Sequence, residues 1–173
     1  MNKRMENRMD IQSLVMDVDG TLTDGKIYMG EDGEVCKAFN IKDGYGIHDI
    51  LMPAGIIPII ITGRNSKIVE NRSRELGITQ IYQDVKDKAC KLKEVARELD
   101  IDLGKFAYIG DDNNDASCMT VVKEAGGVVG CPANATEQVL SISDFVSKYN
   151  GGNGAVRDFI EWIIKNNHSQ NRY

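Results

Sequence analysis

Leu14 to Gly25 reads LVMDVDGTLTDG, an apolar run that ends abruptly in Asp17 and Asp19 before Gly20, Thr21 and Leu22. The run predicts a buried strand, and the Gly-Thr turn places both aspartates at its carboxyl end. A strand periodicity of two points them to one side, where like charges crowd together unless a cation or a proton separates them. Mg²⁺, bound through oxygen, meets that need. Three later positions carry complementary groups: Thr62-Gly63-Arg64, Asp87-Lys88, and Asp111-Asp112 with Asp115. A carboxylate nucleophile, a hydroxyl and an ammonium for phosphoryl oxygens, and acids for Mg²⁺ are the components of phosphoryl transfer, where positioning and charge neutralisation carry most of the catalysis.

Such groups meet only if the elements carrying them are parallel strands, whose carboxyl ends share one edge. The pattern agrees. Ile56 to Thr62 predicts a second buried strand, and Asn65 to Leu76 a helix closed by Gly77. Ile78 to Gln83 predicts a short strand, Lys88 to Leu99 a helix, and Phe106 to Gly110 a strand that stops at Asp111. Gly127 to Gly130 and Phe145 to Ser147 read as two last strands, and Ala155 to Ile164 as a helix following Gly151, Gly152 and Gly154. Lys26 to Gly30 and Glu34 to Asn40, separated by Glu31-Asp32-Gly33, predict a hairpin inserted before a helix near Gly46 to Leu51. The expected fold class is therefore α/β, a Rossmann-like parallel sheet with helices on both faces, an inserted β-hairpin and no large cap domain.

The 173 residues, 42% of them apolar and 27% charged, suit one domain over 1–173 with its core at about 12–165. A formal net charge of −5, with Lys and Arg scattered rather than gathered in a stripe, argues against a nucleic-acid partner. No apolar run approaches the roughly 20 residues of a membrane span and the opening MNKRMENRMD lacks a signal-peptide core, so a cytoplasmic protein without a membrane partner is expected. Cys36, Cys90, Cys118 and Cys131 show neither a C-x-x-C pair nor zinc-ligand spacing, which predicts reduced thiols in or near the core. The first ten or so residues and His168 to Tyr173 read as disordered by composition.

The motifs D-V-D-G-T-L, I-T-G-R, D-K and G-D-D-N-N-D resemble those of the haloacid dehalogenase superfamily of phosphatases. IYMGEDGEVCKAFNIKDGYGI, ITGRNSKIVENR, AYIGDDNND and GGNGAVRD resemble its capless branch, which contains 3-deoxy-D-manno-octulosonate 8-phosphate phosphatase, over about residues 12 to 165. The resemblance implies that Asp17 attacks phosphorus to form an aspartyl phosphate, while Asp19 protonates the leaving alkoxide and then deprotonates the hydrolytic water. It implies Mg²⁺ held by the Asp17 carboxylate, the Asp19 backbone carbonyl and Asp111, with Asp112 close behind. Thr62 and the amides around Gly63 would bind phosphoryl oxygens, and Lys88 would neutralise their charge. Proximity would raise the pKa of Asp19, while Mg²⁺ and Lys88 lower that of Asp17.

Arg64, a planar five-donor fork, suits an anionic or polyhydroxylated substrate at the pocket mouth. In relatives acting on nine-carbon sugar acid phosphates this position is more often Glu, so Arg favours an eight-carbon sugar acid phosphate of lipopolysaccharide precursor synthesis. The resemblance also implies a homotetramer built on the 26–40 hairpin and a Gly-rich tail that reaches an adjacent subunit's site as a lid. Asn153 stands where that tail pattern, G-G-R-G-A-V-R, has an arginine; it can hydrogen-bond a sugar but contributes no charge.

Other readings compete at single residues. Asp115 can cap or occupy the first turn of the helix after Asp111. Lys42 and Asp43 are either loop charges or substrate contacts beside Gly44-Tyr45-Gly46. Arg157 serves either the lid or a surface pair, and His48 fits a helix surface. For the whole chain, a receiver domain keeps its phosphorylated Asp on a later strand, unlike the order here. A nine-carbon sugar acid phosphatase, and a non-catalytic assembly domain related to that of sialic acid cytidylyltransferases, are the remaining alternatives.

Overall fold

The computed structural model describes residues 9–167. Six parallel strands form one sheet: β1 (Ser13–Met16), β4 (Ile57–Ile61), β5 (Gln80–Tyr82), β6 (Phe106–Ile109), β7 (Val128–Cys131) and β8 (Phe145–Val146). Their order, β5-β4-β1-β6-β7-β8, puts β1 and β6 side by side where the winding direction reverses. A ligand crevice is expected outside the carboxyl ends of such a pair.

Alternate residues of each strand feed two apolar layers, which makes the sheet a buried one. Leu14 and Met16 join Ile60 and Ile109 on one face. Val15 joins Ile59, Ile61 and Tyr108 on the other. The first face is covered by Ile47 and Leu51, by Val69 of α2 (Lys67–Glu75) and by Val156, Phe159, Ile160 and Ile163 of α6 (Ala155–Asn166). The second is covered by α3 (Lys88–Glu98), α4 (Asn113–Glu124) and α5 (Glu137–Ile142) through Leu92, Val95, Met119, Val122 and Val139. Pro58 sits inside β4 without cost. The Ile57 amide donates to Gln12 on the β1 side, so position 58 faces β5, whose pairing begins only at Ile59.

The hairpin stands apart as a two-stranded antiparallel sheet of β2 (Tyr28–Gly30) and β3 (Gly33–Cys36), shorter than the sequence suggests. A helix begins earlier than expected, at α1 (Ile41–Tyr45), and runs on through a π-helical stretch, Gly46–Leu51. The Asn40 side chain starts it by accepting from the Lys42 amide. Lys42 and Asp43 are thus helical, not loop, residues. Helix α5 carries too short an apolar pattern to be read from sequence.

Cys118 and Cys131 are buried as expected, whereas Cys36 and Cys90 are exposed; all four are free. His48 lies on the helix surface beside Asp49. The expectation of terminal disorder falls outside the described residues, except at Met9 and Asp10, where Met9 bridges to Asn167 at the end of α6. Among the described residues no helix is long and apolar enough to cross a membrane.

Candidate active site

Asp17 directly follows β1, and its amide donates to the Ile109 carbonyl of β6. The chain then turns tightly, the Val18 carbonyl accepting from the amides of Thr21, Leu22 and Thr23. Gly20 holds φ +98°, and a Cβ there would collide with the carboxylate of Asp111. Gly110 likewise leaves room for the side chain of Asp115, one helical turn beyond Asp111. These glycines let two backbones and three carboxylates converge.

Lys88 lies at the centre. Asp87 caps α3 by accepting from the Cys90 amide, and the next residue turns its ammonium inward. Lys88 Nζ reaches Asp17 Oδ1 and Asp115 Oδ1, each at 2.8 Å. Asp115 Oδ1 also accepts from the Tyr108 hydroxyl at 2.7 Å, while its Oδ2 accepts from the amides of Asp111 and Asp112 at 3.1 and 3.3 Å. Four donors fill its acceptor capacity. Asp115 therefore both caps α4 and anchors Lys88. Asp111 Oδ1 accepts from the Thr21 hydroxyl at 2.7 Å.

Carboxylate oxygens of Asp17, Asp111 and Asp115 lie within 4.8 Å of one another. Since Asp115 is saturated, Asp17 Oδ2 and Asp111 Oδ2 are the oxygens left uncommitted by the described residues. Burial, reinforced by Asp115 and only partly offset by Lys88, pushes the Asp17 carboxyl up to about 7. Burial also pushes Asp111 up, to about 6. For Lys88 burial acts downward, but Asp17 and Asp115 outweigh it and keep the ammonium above its ordinary range. A hard divalent cation fits this donor set: two neighbouring carboxylates whose ionisation is disfavoured without one.

Asp112, expected beside the metal, is exposed and outside this cluster; it forms the capping box of α4 with Asp115. The spacing of Asp111 and Asp115, one helical turn, was the signal for the inner position. The Asp19 side chain points elsewhere than strand alternation predicts. The chain leaves the extended conformation after Met16, so Asp17 faces Asp111 and Asp115, and Asp19 turns to a different set of charges. Its carboxylate pairs with Lys37 and lies 3.8 Å from the Arg64 guanidinium. Lys37 also meets Glu34 at 2.8 Å, and Glu34 accepts from the Ser66 hydroxyl at 2.6 Å. Lys37 and Glu34, from the hairpin, were not singled out by the sequence.

Thr62 directly follows β4, is 2% exposed, and has a hydroxyl free of any protein hydrogen bond among the described residues. Gly63 follows with open space around it, a Cβ there meeting only the Val85 carbonyl oxygen at 3.7 Å. Arg64 is half exposed at the rim. The remaining proposed substrate contacts gather elsewhere. Lys42, Asn153 and Arg157 line a surface pocket of about 340 Å³ with Lys148 and Tyr149, but with none of the carboxylates above. Arg157 pairs with Glu161 at 2.7 Å and stacks on Tyr45. Asp43 does not line this pocket: buried, it accepts from the amides of Gly154 and Arg157 at the start of α6. The Gly-rich segment packs on its own chain. Gly151 lies against the Gly20 carbonyl, and the Gly152 amide donates to Thr21 O at 3.0 Å.

A buried carboxylate beside a locked ammonium, an available hydroxyl, and two oxygens suited to a divalent ion form a phosphoryl-transfer centre. Comparison with known proteins agrees. The profile of haloacid dehalogenase-like hydrolases matches residues 67–160, spanning Lys88, Asp111 and Asp115. The 3-deoxy-D-manno-octulosonate 8-phosphate phosphatase of Yersinia pestis is 40% identical over 160 residues, covering 92% of this chain and 83% of its own. A crystal structure of the Moraxella catarrhalis enzyme of that name, in complex with magnesium ion, phosphate ion and a KDO molecule, superposes with a TM-score of 0.84 at 41% identity. It covers 91% of this chain and 87% of that one. The cobalt-bound form of the Haemophilus influenzae enzyme gives a TM-score of 0.84 at 32% identity, covering 90% and 88%. A profile match across more than half the sequence, with relatives aligned through Asp17 and the β1 loop as well, means that this chain belongs to the haloacid dehalogenase-like hydrolases.

Proposed function

We propose that this protein is a Mg²⁺-dependent phosphatase that hydrolyses 3-deoxy-D-manno-octulosonate 8-phosphate through an aspartyl phosphate on Asp17. The observation that carries the chemistry is Asp17 itself, buried between Lys88 and the Asp111 carboxylate at the switch point of the sheet. The relatives' shared name, at about 40% identity over most of the chain, supports the substrate.

An Asp17 oxygen attacks phosphorus, and the phosphorus–ester oxygen bond breaks with its electron pair on the sugar oxygen. Asp19 supplies the proton that this oxygen takes. In the second half Asp19 removes a proton from water, which attacks phosphorus and returns Asp17 to its carboxylate. Lys88, fixed by Asp17 and Asp115, presents positive charge to the phosphoryl oxygens, and the Thr62 hydroxyl with the Gly63 amide binds them. Asp17 and Asp111 would hold Mg²⁺, which supplies charge neutralisation for the transferring group. Arg64, at the rim, suits the sugar acid.

The hairpin exposes Ile27, Tyr28, Met29 and Val35, an apolar face that supports a homotetramer assembled through residues 26–40. Within such an assembly the pocket of Lys42, Asn153 and Arg157 would serve substrate only if it meets another subunit's site. The setting inferred is cytoplasmic lipopolysaccharide precursor synthesis.

The test is phosphate release, with and without Mg²⁺, from 3-deoxy-D-manno-octulosonate 8-phosphate beside neuraminate-type 9-phosphates and simple sugar phosphates. Mg²⁺-dependent preference for the eight-carbon ester is expected. Preference for a nine-carbon acid would keep the chemistry and discard the role given to Arg64. Hydrolysis of nothing would favour an assembly domain.

A further inference from the structure

The hairpin does more than present an apolar outer face. From its inner side Lys37 projects into the protein with its side chain 1% exposed, and it bridges Asp19 and Glu34. Glu34 is held in turn by the Ser66 hydroxyl at the start of α2, and Ser66 is fixed through its amide to Gln83 Oε1 at 2.8 Å. The chain Asp19–Lys37–Glu34–Ser66 thus ties together the β1 loop, the hairpin and the segment that follows Thr62-Gly63-Arg64. Arg64 comes within 3.8 Å of Asp19 and 3.9 Å of Glu34, but it is half exposed and free to swing out toward a ligand. Lys37 is not: its side chain is closed in between the two carboxylates.

We infer that Lys37 is a positioning residue for Asp19, fixing its carboxylate where it faces the ester oxygen of the bound phosphate. The inference rests on the phosphatase chemistry proposed above. A buried ammonium shared by two carboxylates has a single favourable location, so the Asp19 side chain is held in one rotamer rather than sampling several. Proton donation needs that geometry most when the leaving group is a poor one. An alkoxide of a sugar departs only with a proton, whereas p-nitrophenolate departs readily without one.

The experiment compares kcat/KM, which reports the step in which the leaving group departs, for 3-deoxy-D-manno-octulosonate 8-phosphate and for p-nitrophenyl phosphate. Lys37→Met should lower kcat/KM about 10²-fold on the sugar ester and no more than about threefold on the aryl ester. Glu34→Gln, which leaves Lys37 in place but frees its far anchor, should show the same selectivity with a smaller loss. Lys37→Arg, which keeps the charge, should recover part of the sugar-ester activity. Equal losses on both esters, or no loss in any variant with a native melting transition, would overturn the positioning role. Failure of the unsubstituted protein to hydrolyse either ester would instead overturn the phosphatase reading itself.

Discussion

Two carboxylate–lysine–carboxylate bridges stand two residues apart on one loop, and they are built from different parts of the molecule. Asp17–Lys88–Asp115 is made by the sheet and the starts of α3 and α4, with side chains at most 6% exposed. Asp19–Lys37–Glu34 is made by the hairpin, with Asp19 and Glu34 at 19% and 14% and an exposed Arg64 alongside. The first depends only on the core that folds the domain. The second depends on an element whose other face is apolar and exposed. On the proposed roles, nucleophile and metal are therefore set by the sheet and its helices, while the proton-transfer group and the substrate rim are set by an appendage.

The contrast can be broken at its strongest point. Asp17→Asn should abolish turnover, by more than about 10³-fold, while circular dichroism remains native; near-normal activity would mean that another group attacks phosphorus. Next, Lys88→Ala should lower kcat about 10²-fold and raise KM on any phosphate ester, because it removes both phosphoryl charge and the anchor of Asp17. It should also destabilise the fold by about 3 kcal/mol in urea melts, since two buried carboxylates lose their partner. A loss confined to one leaving group would assign Lys88 the role given to Lys37. A finer cut separates neighbours. Asp115→Asn should weaken Mg²⁺-supported activity by about 10- to 100-fold, as outer-shell changes do. Asp112→Asn should cost little, since asparagine also caps helices. Equal effects would return Asp112 to the metal site.

The smallest effect concerns pH. Asp17 and Asp111 are acids raised from 3.8 to about 7 and about 6, so the fold binds protons that the unfolded chain has already released. Metal-free stability should therefore fall as pH rises from about 4 to about 7. Mg²⁺ competes for the same oxygens, so it should raise Tm by several degrees at about pH 8 and hardly at all at about pH 5. Equal shifts at both, measured by scanning calorimetry, would place the ion elsewhere.

The inner bridge was legible and the outer one was not, for a physical reason. Asp17, Thr62 and Asp111 each follow an uninterrupted apolar run, and a parallel sheet brings run ends together whatever the loops do. Asp115 was harder, because D-D-N-N-D is the same pattern for a capping box and for an inward carboxylate, and here it is both. Asp43 looked like a mouth residue because its partners, the Gly154 and Arg157 amides, lie over a hundred positions away. Glu34 and Lys37 carry no run end at all. Their inward direction depends on how the short hairpin leans on Ser66, which alternation along β3 does not encode.

The contact of Gly151 and Gly152 with the loop from Gly20 to Asp24 has a consequence for folding. The loop that carries Asp17 is separated in sequence from the backbone that closes over its far side by every strand from β2 to β8. Strand β1 must also wait for both β4 and β6 before both of its edges are paired. Asp17 therefore stays on an unfinished loop until segments far apart in sequence have come together, and catalytic competence follows that long-range closure.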